Sequence, residues 1–569
     1  MRHKKAYLFF MIIIALLLYV QAVPFTGVEA VEPNQQADLD EATWNPLIAG
    51  SVNSKPVALI VDSKEMKLRD DEQLYMDQDK NLMLPVTAIT NSFHCAVNLY
   101  DRNKLVVEKN AVELEFLLNS DVMYRNQNEV PVTTSMVQQD GNYYVSLEQV
   151  AEGLNYSYQW NVQDNQALLV NQKPDEPTIP YAYDYREKGR KPAVIDQGKY
   201  GTCWAFASLT ALSSSILPEE NLQFSPDHMS LKNSFCGDQN SGGEYTMAMA
   251  YLSAWQGPVL EQDDPYGDGY SPEGLDAVKH VQEIQIIEGK DFQRIKEAVY
   301  KYGGVQSSLY TSLTGSASRS MYYNQKNYAY CYIGTEKPNH DIVIIGWDDN
   351  YPKENFNTEL EGNGAFICQN SWGEEFGDDG VFYVSYYDTN IGMHNVVYTS
   401  VEEPDNYDHL YQSDLCGWVG QVGYGSDTAY FANVYQAKGA QRLKAVGFYA
   451  TGKDTEYEIS VVRDFQGPDS LNQREYIQSG YICNAGFYTI PLDTPADLTP
   501  GQPFAVVVKI KTPNSIHPIA IEYPADDVTM DVDLSDGEGY ISLYGSTWDS
   551  LEENYQCNFC LKAYTDNME

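Results

Sequence analysis

Cysteine is scarce in this chain, with 9 residues in 569, at positions 95, 203, 236, 331, 368, 416, 483, 557 and 560. Spacing this thin excludes a small disulfide-stapled scaffold, and an odd count leaves at least one thiol unpaired within a monomer. Cys557 and Cys560 form a C-x-x-C pair without a second pair or a nearby histidine. Zinc is therefore not expected there; a terminal bridge or two free thiols is. Positive charge is short as well: 37 Lys and Arg stand against 80 Asp and Glu, a formal net charge of -43. Such a surface repels phosphate backbones and anionic lipid, so no nucleic-acid partner is expected. It leaves solubility outside a cell, or cation binding by clustered carboxylates. Beyond the first 30 residues there is no apolar run long enough to span a bilayer.

What is present at the start reads as a targeting signal. Arg2, His3, Lys4 and Lys5 precede an apolar run from Ala6 to Val23, and Val28-Glu29-Ala30 offers a small-residue cleavage site. The expectation is a signal peptide over 1–30, cleaved near Ala30, with an uncleaved signal anchor as the rival. The mature protein would then be secreted or extracellular, with no membrane attachment after cleavage.

The length calls for several domains. Residues 31–54 are polar and read as a linker. From 55 to 171, short alternating runs separated by Asp/Asn turns indicate strands. A repeat runs through them: the segments beginning at Leu84 and at Val145 each read as a strand, a short helix and two strands. This pattern resembles the N-terminal domain of copper amine oxidases, an α+β module. The adjacent His94 and Cys95 make no copper coordination sphere. Proline-broken 172–179 is a second linker. Residues 180–401 are helical first and strand-rich from about Gly304, the signature of an α+β domain with a cleft between halves. Residues 402–569 carry many short strands between Gly, Pro and Asp turns, the signature of an all-β sandwich.

The stretch around Cys203 organises the chain. Gln197-Gly-Lys-Tyr-Gly-Thr-Cys-Trp-Ala-Phe places one cysteine ahead of an apolar, alanine-rich segment predicted to be helical. A thiol at a helix N-terminus meets unpaired N–H groups and the positive end of the dipole, which favour the thiolate. A nucleophile needs a base, something to hold the base, and donors for the developing oxyanion. His340, at the start of the apolar strand Ile342-Val-Ile-Ile, suits a base. Asn370 can accept an imidazole N–H without competing for charge. Gln197 can donate its amide N–H beside the Cys203 backbone N–H.

Together these blocks closely resemble the papain family of cysteine peptidases: Gln-Gly-x-x-Gly-x-Cys-Trp-Ala-Phe, then Asn-His before an apolar strand and Gly-Trp, then Asn-Ser-Trp-Gly, in that order. The resemblance implies a helical half plus a β-barrel-like half, with Cys203 as nucleophile, His340 as general acid/base, Asn370 as its orienter and Gln197 as oxyanion donor. Trp372 matches the tryptophan that shields the histidine–asparagine bond. Gly242 and Gly243 match the diglycine whose backbone pairs with extended substrate, with Tyr245 beside it, and Tyr266 belongs to a matching tyrosine motif. The implied reaction is hydrolysis of peptide bonds in proteins through a thioester, begun by a Cys203 thiolate paired with a His340 imidazolium. No metal or other cofactor is implied for this chemistry.

Three positions depart from the family pattern. Tyr200 stands where a disulfide cysteine is found in papain, and Phe376 replaces a second tryptophan. Asp341 follows the histidine; it is expected to face solvent, and if turned inward it would raise the histidine's pKa. The typical helical propeptide motif is missing, and no side-chain preference carries over. The C-terminal region resembles the lectin-like domain that follows such peptidases in bacterial surface proteins, which implies glycans or glycoproteins as partners and association with a cell surface. Calcium is a further expectation there, through Asp526-Asp527 and Asp531/Asp533, with solvated acidic loops as the alternative. Two rival functions stay open: a non-catalytic surface adhesin, and the same thiol machinery acting on cell-wall peptides or as an acyl-transferase.

Overall fold

The computed structural model describes residues 57–568 apart from 67, 69–72, 94, 101–102, 110–111, 140–141, 162–164, 173–178 and 536–537. The expected signal peptide, the 31–54 linker, His94 and most of the 172–179 linker thus lie outside the described residues.

The repeat read in the N-terminal region has a structural counterpart. Leu82–Pro85, the helix Val86–Phe93, Ala96–Tyr100 and Lys104–Lys109 form one copy, and Asn142–Ser146, the helix Leu147–Gly153, Tyr156–Asn161 and Gln166–Asn171 the other. Their first strands pair antiparallel, Val145 opposite Leu84. Alternation then does its usual work: Val112–Leu117 buries every second side chain into a core that includes Leu59, Phe93, Leu114 and Val150. Cys95 is one of those core residues. Lys301 ties this module to the next, 2.6 Å from Glu108.

In the central region the helix Cys203–Ile216 packs on the strands His340–Asp348 and Asn395–Glu402. Ala205, Ala207, Ser208 and Ala211 are buried along it, and side chains this small let a helix lie close against a sheet. Strand His340–Asp348 sits between Val305–Leu309 and Ala365–Gln369 and is buried on both faces, which is why its sequence is an unbroken apolar run rather than an alternating one.

The C-terminal region is a sandwich. A six-stranded sheet containing Thr428–Gln436, Thr455–Val462 and Pro503–Lys511 faces strands Gln441–Ala450 and Leu561–Asn567 across a core that includes Phe431, Ile459, Val506, Phe448 and Leu561. The expected domain boundary at 401/402 does not divide the sheets. One 13-stranded sheet continues from the central region into the sandwich, because His280–Ile287 pairs with Ala485–Leu498. The junction depends on Gly486. Its φ is +143°, and a Cβ there would stand 2.0 Å from the Ile284 carbonyl oxygen. Gly486→Ala is expected to cost about 2–4 kcal/mol through strain and displacement of the paired strand. Calorimetry should show a lowered unfolding midpoint, and an unchanged midpoint would contradict this account of the junction.

All nine cysteines are unpaired, so Cys557 and Cys560 are two buried thiols rather than a terminal bridge. Among the described residues, no group of three or more His, Cys, Asp or Glu side chains gathers as a metal site. Three of the four expected calcium carboxylates accept local hydrogen bonds instead. Asp526 Oδ1 accepts from the Val528 and Thr529 N–H groups, Asp531 Oδ2 from the Cys236 thiol, and Asp533 Oδ1 from the Ser535 N–H. These residues do not fit a calcium cage.

Candidate active site

Cys203 is the first residue of its helix, and Thr202 before it makes no side-chain cap bond, so no capping side chain covers the Cys203 and Trp204 N–H groups. The N–H groups of Asp341, Trp204 and Cys203 itself favour the thiolate, as the sequence led one to expect. They are outweighed. Burial first, then the Asp341 carboxylate, push the thiol up to about 12. A thiol pushed this way calls for a base to take its proton.

His340 begins the strand at the cleft edge and is buried. Its Nε2 lies 2.7 Å from Asn370 Oδ1. Burial lowers the imidazole pKa, opposed by the Asn370 bond and the Asp341 charge. Trp372 stacks on the ring, centroids 4.8 Å apart at 25°, and covers the His340–Asn370 pair. Phe376 packs edge-on against Trp372 at 5.0 Å and is itself buried, so it supports the shielding ring where a tryptophan was expected.

Asn370 is fixed by its own backbone, its N–H bonding to the Gly380 carbonyl, while Oδ1 also accepts the Ser371 N–H at 2.8 Å. An oxygen with two donors on it cannot swap places with the amide nitrogen without losing both.

Gln197 is held just as firmly. Its backbone N–H reaches the Ser371 carbonyl, and the Tyr266 hydroxyl donates to the Gln197 carbonyl at 2.9 Å. Ser371 Oγ donates to Gln197 Oε1 at 2.6 Å, and Nε2 gives one hydrogen to the Tyr200 carbonyl. One amide N–H remains for a ligand. These bonds, with Gly201 N–H on the Gln239 carbonyl, anchor the loop that Tyr200 leaves without a disulfide. The sequence offered Ser371 only as part of the Asn-Ser-Trp block. Here it sets which way the Gln197 amide points. Ser371→Ala should lower kcat roughly tenfold with little change in KM, a fraction of the loss typical for deleting an oxyanion donor outright. Steady-state kinetics on one peptide substrate would test this, and an unaltered kcat would remove Ser371 from that role.

Asp341 turns inward, contrary to expectation. Oδ1 accepts from Ser308 Oγ at 2.7 Å and Oδ2 from Gln306 Nε2 at 3.0 Å, while Gln306 Oε1 takes the Ser208 hydroxyl from the Cys203 helix. The signal that could have found this is the strand Val305–Leu309, VQSSL, which is polar at its centre yet buried throughout.

Gly243 lies against the residue after the thiol: a Cβ there would meet Trp204 Nε1 at 2.4 Å. Gly242, at φ +76°, has open space where a Cβ would point. The diglycine therefore flanks the Cys203 helix with one face exposed. Tyr245 starts the next helix, half-buried, its ring 5.9 Å from that of His394. The structure thus joins His340 to Asn370 and Trp372, ties Gln197 to them through Ser371, and brings the Asp341 N–H beside His340 to Cys203, with Gly243 against Trp204. A thiol, a buried imidazole with a fixed tautomer and an aimed amide N–H can together attack a carbonyl, shuttle one proton and stabilise an oxyanion.

Comparison with known proteins agrees in kind. Residues 179–401 match the model of the papain family cysteine protease, 410–565 that of the lectin like domain, and 60–169 that of the copper amine oxidase N-terminal domain. Cathepsin K of Gallus gallus is 31% identical over 213 residues, 35% of this chain and 57% of its own length. Cathepsin K of Mus musculus is 28% identical, over 36% of this chain and 59% of its own length. The chain thus spans under two thirds of these relatives. Among solved structures, the clostridial cysteine protease Cwp84 after propeptide cleavage matches with TM-score 0.61 and 27% identity, covering 68% of this chain and 99% of that one. The cysteine protease and lectin-like domains of Cwp84, described as a surface layer associated protein of Clostridium difficile, match with TM-score 0.60 and 26% identity, over 69% of this chain and 89% of that one.

Proposed function

We propose that this chain, which carries a papain-family cysteine peptidase domain over residues 179–401 followed by a lectin-like domain, is an exported endopeptidase acting on proteins at a cell surface. The observation that carries the reading is the His340 Nε2–Asn370 Oδ1 contact at 2.7 Å under Trp372. It occupies one imidazole nitrogen and leaves Nδ1 for the thiol.

In this reading Cys203 Sγ adds to the scissile carbonyl carbon as its proton passes to His340. Negative charge gathers on the carbonyl oxygen, met by the spare Gln197 N–H and the Cys203 backbone N–H. The tetrahedral centre collapses, the C–N bond breaks and His340 hands its proton to the departing amine. Water, losing a proton to His340, then splits the thioester, and that proton returns to the thiol. Gly242 and Gly243 offer backbone to an extended substrate, with Tyr245 behind them.

The N-terminal signal pattern supports export, and the acidic surface suits the outside of a cell. The lectin-like domain supports a role in holding the enzyme on glycans or glycoproteins. Digesting an unfolded protein and purified wall peptides side by side, with products read by mass spectrometry, tests the function. Internal cuts in the protein are expected. Products from wall peptides alone, or acyl transfer without hydrolysis, would overturn the endopeptidase reading.

A further inference from the structure

A cavity of about 580 Å³ opens beside the cleft, and both the peptidase and lectin-like regions build it. Its near wall is Trp204, Gly242 and Gly243; its far wall is Trp418, Val528 and Thr529. That volume lies within the range of sites that enclose small groups. The two walls are fastened together: the Cys236 N–H bonds to the Val528 carbonyl at 2.7 Å, and the Cys416 thiol to the Ser234 carbonyl at 3.4 Å.

The lining has one sign of charge. Asp238, Glu244 and Asp526 face it, and among the described residues no lysine, arginine or histidine does. Hydrogen bonds from Ser241 and the Asn240 backbone hold the Asp238 carboxyl below its usual range, so it stays ionised. Trp204, Phe235, Met247 and Trp418 share the lining with these carboxylates. A cavity that sets aromatic and aliphatic side chains among polar ones and carries carboxylates alone as its charges suits a long side chain with an aliphatic stem and a cationic head.

We infer that this cavity is a substrate subsite, shared by the two domains, that takes a lysine or arginine side chain of the peptide being cleaved. The inference rests on the peptidase reading above. Its basis is continuity: Trp204 follows Cys203, Gly243 packs on Trp204, and Gly201, two residues before the thiol, bonds to Gln239 in the same lining. A peptide running along the diglycine places a neighbouring side chain at the mouth of this cavity. The lectin-like domain thereby acts as part of the specificity machinery.

The test compares peptides of one sequence that carry lysine or its uncharged isostere norleucine, scanned over the four positions on either side of the cleaved bond. At one position kcat/KM should favour lysine about tenfold. Glu244→Gln and Asp526→Asn should bring that ratio towards one, and the second of these substitutions keeps a side-chain oxygen for the turn that Asp526 caps. Epoxysuccinyl titration of each variant counts intact sites, so a misfolded variant is recognised. Equal rates for lysine and norleucine at every position would overturn the inference. So would loss of the lysine preference on adding a wall oligosaccharide while Glu244→Gln and Asp526→Asn leave that preference intact, because the cavity would then be a sugar site. Failure of the peptidase reading looks different: neither peptide is cut in a Cys203-dependent way.

Discussion

Cys203→Ala is expected to abolish peptide hydrolysis, with kcat falling on the order of 10⁴-fold or more, while the unfolding midpoint stays close to that of the parent. The size follows from chemistry. Without the sulfur no thioester forms, and Gln197, His340 and Asn370 can only position water. The small effect on folding follows from position. The residue opens the Cys203–Ile216 helix, where alanine is a good helix former, and it makes no disulfide. Cys203→Ser is the stricter companion: a hydroxyl fits the space but is a far weaker nucleophile beside an imidazole whose pKa burial has lowered. A folded Cys203→Ala protein with undiminished turnover would show that Cys203 is not the nucleophile.

Asp341→Asn should move the whole pH profile of kcat/KM towards acid, by about one unit, equivalent to ~1.4 kcal/mol of differential interaction. The sign comes from what the carboxylate does to both partners. It raises the His340 pKa and it raises the Cys203 thiol. The acid limb reports loss of the imidazole proton, and the basic limb loss of the thiol proton. Removing the negative charge lowers both, so both limbs shift the same way. The charged and titratable neighbours of Asp341 include His340, His394, Cys203, Tyr245 and Tyr398, and burial raises its own carboxyl against the bonds from Ser308 and Gln306. The substitution preserves that frame. Gln306 can turn its amide over, accepting a hydrogen from the new side-chain amide with its oxygen and donating to Ser208 with its nitrogen. A profile shifted towards base, or unmoved with the fold intact, would show that Asp341 does not act on the pair.

Much of this site is legible in the sequence because each block is local. A cysteine before an apolar helix, a histidine opening a buried strand and an asparagine in a turn each carry their own pattern, and their order joins them. The repeat in the N-terminal module is legible for the same reason. The inward turn of Asp341 is not, because it is decided by Ser308 and Gln306 on the adjacent strand, thirty-odd positions earlier in the chain. Nor does the helix end alone give the tuning of Cys203: the backbone N–H groups favour the thiolate, but burial and a carboxylate push the thiol the other way. That peptidase and sandwich share one sheet is equally hidden. It depends on Gly486 lying against Ile284, about 200 residues away along the chain.

The central claim is that Cys203 is the nucleophile, and covalent labelling tests it most directly. Nine unpaired thiols are present, of which Cys203, Cys236 and Cys483 are the three that are not fully buried. The active protein is treated with a limiting epoxysuccinyl inhibitor until hydrolysis stops, then mapped by peptide mass spectrometry. The account predicts one equivalent of adduct, on Cys203, with none in the Cys203→Ser protein. Activity lost with the adduct on Cys236 or Cys483, or retained with Cys203 fully labelled, would contradict it.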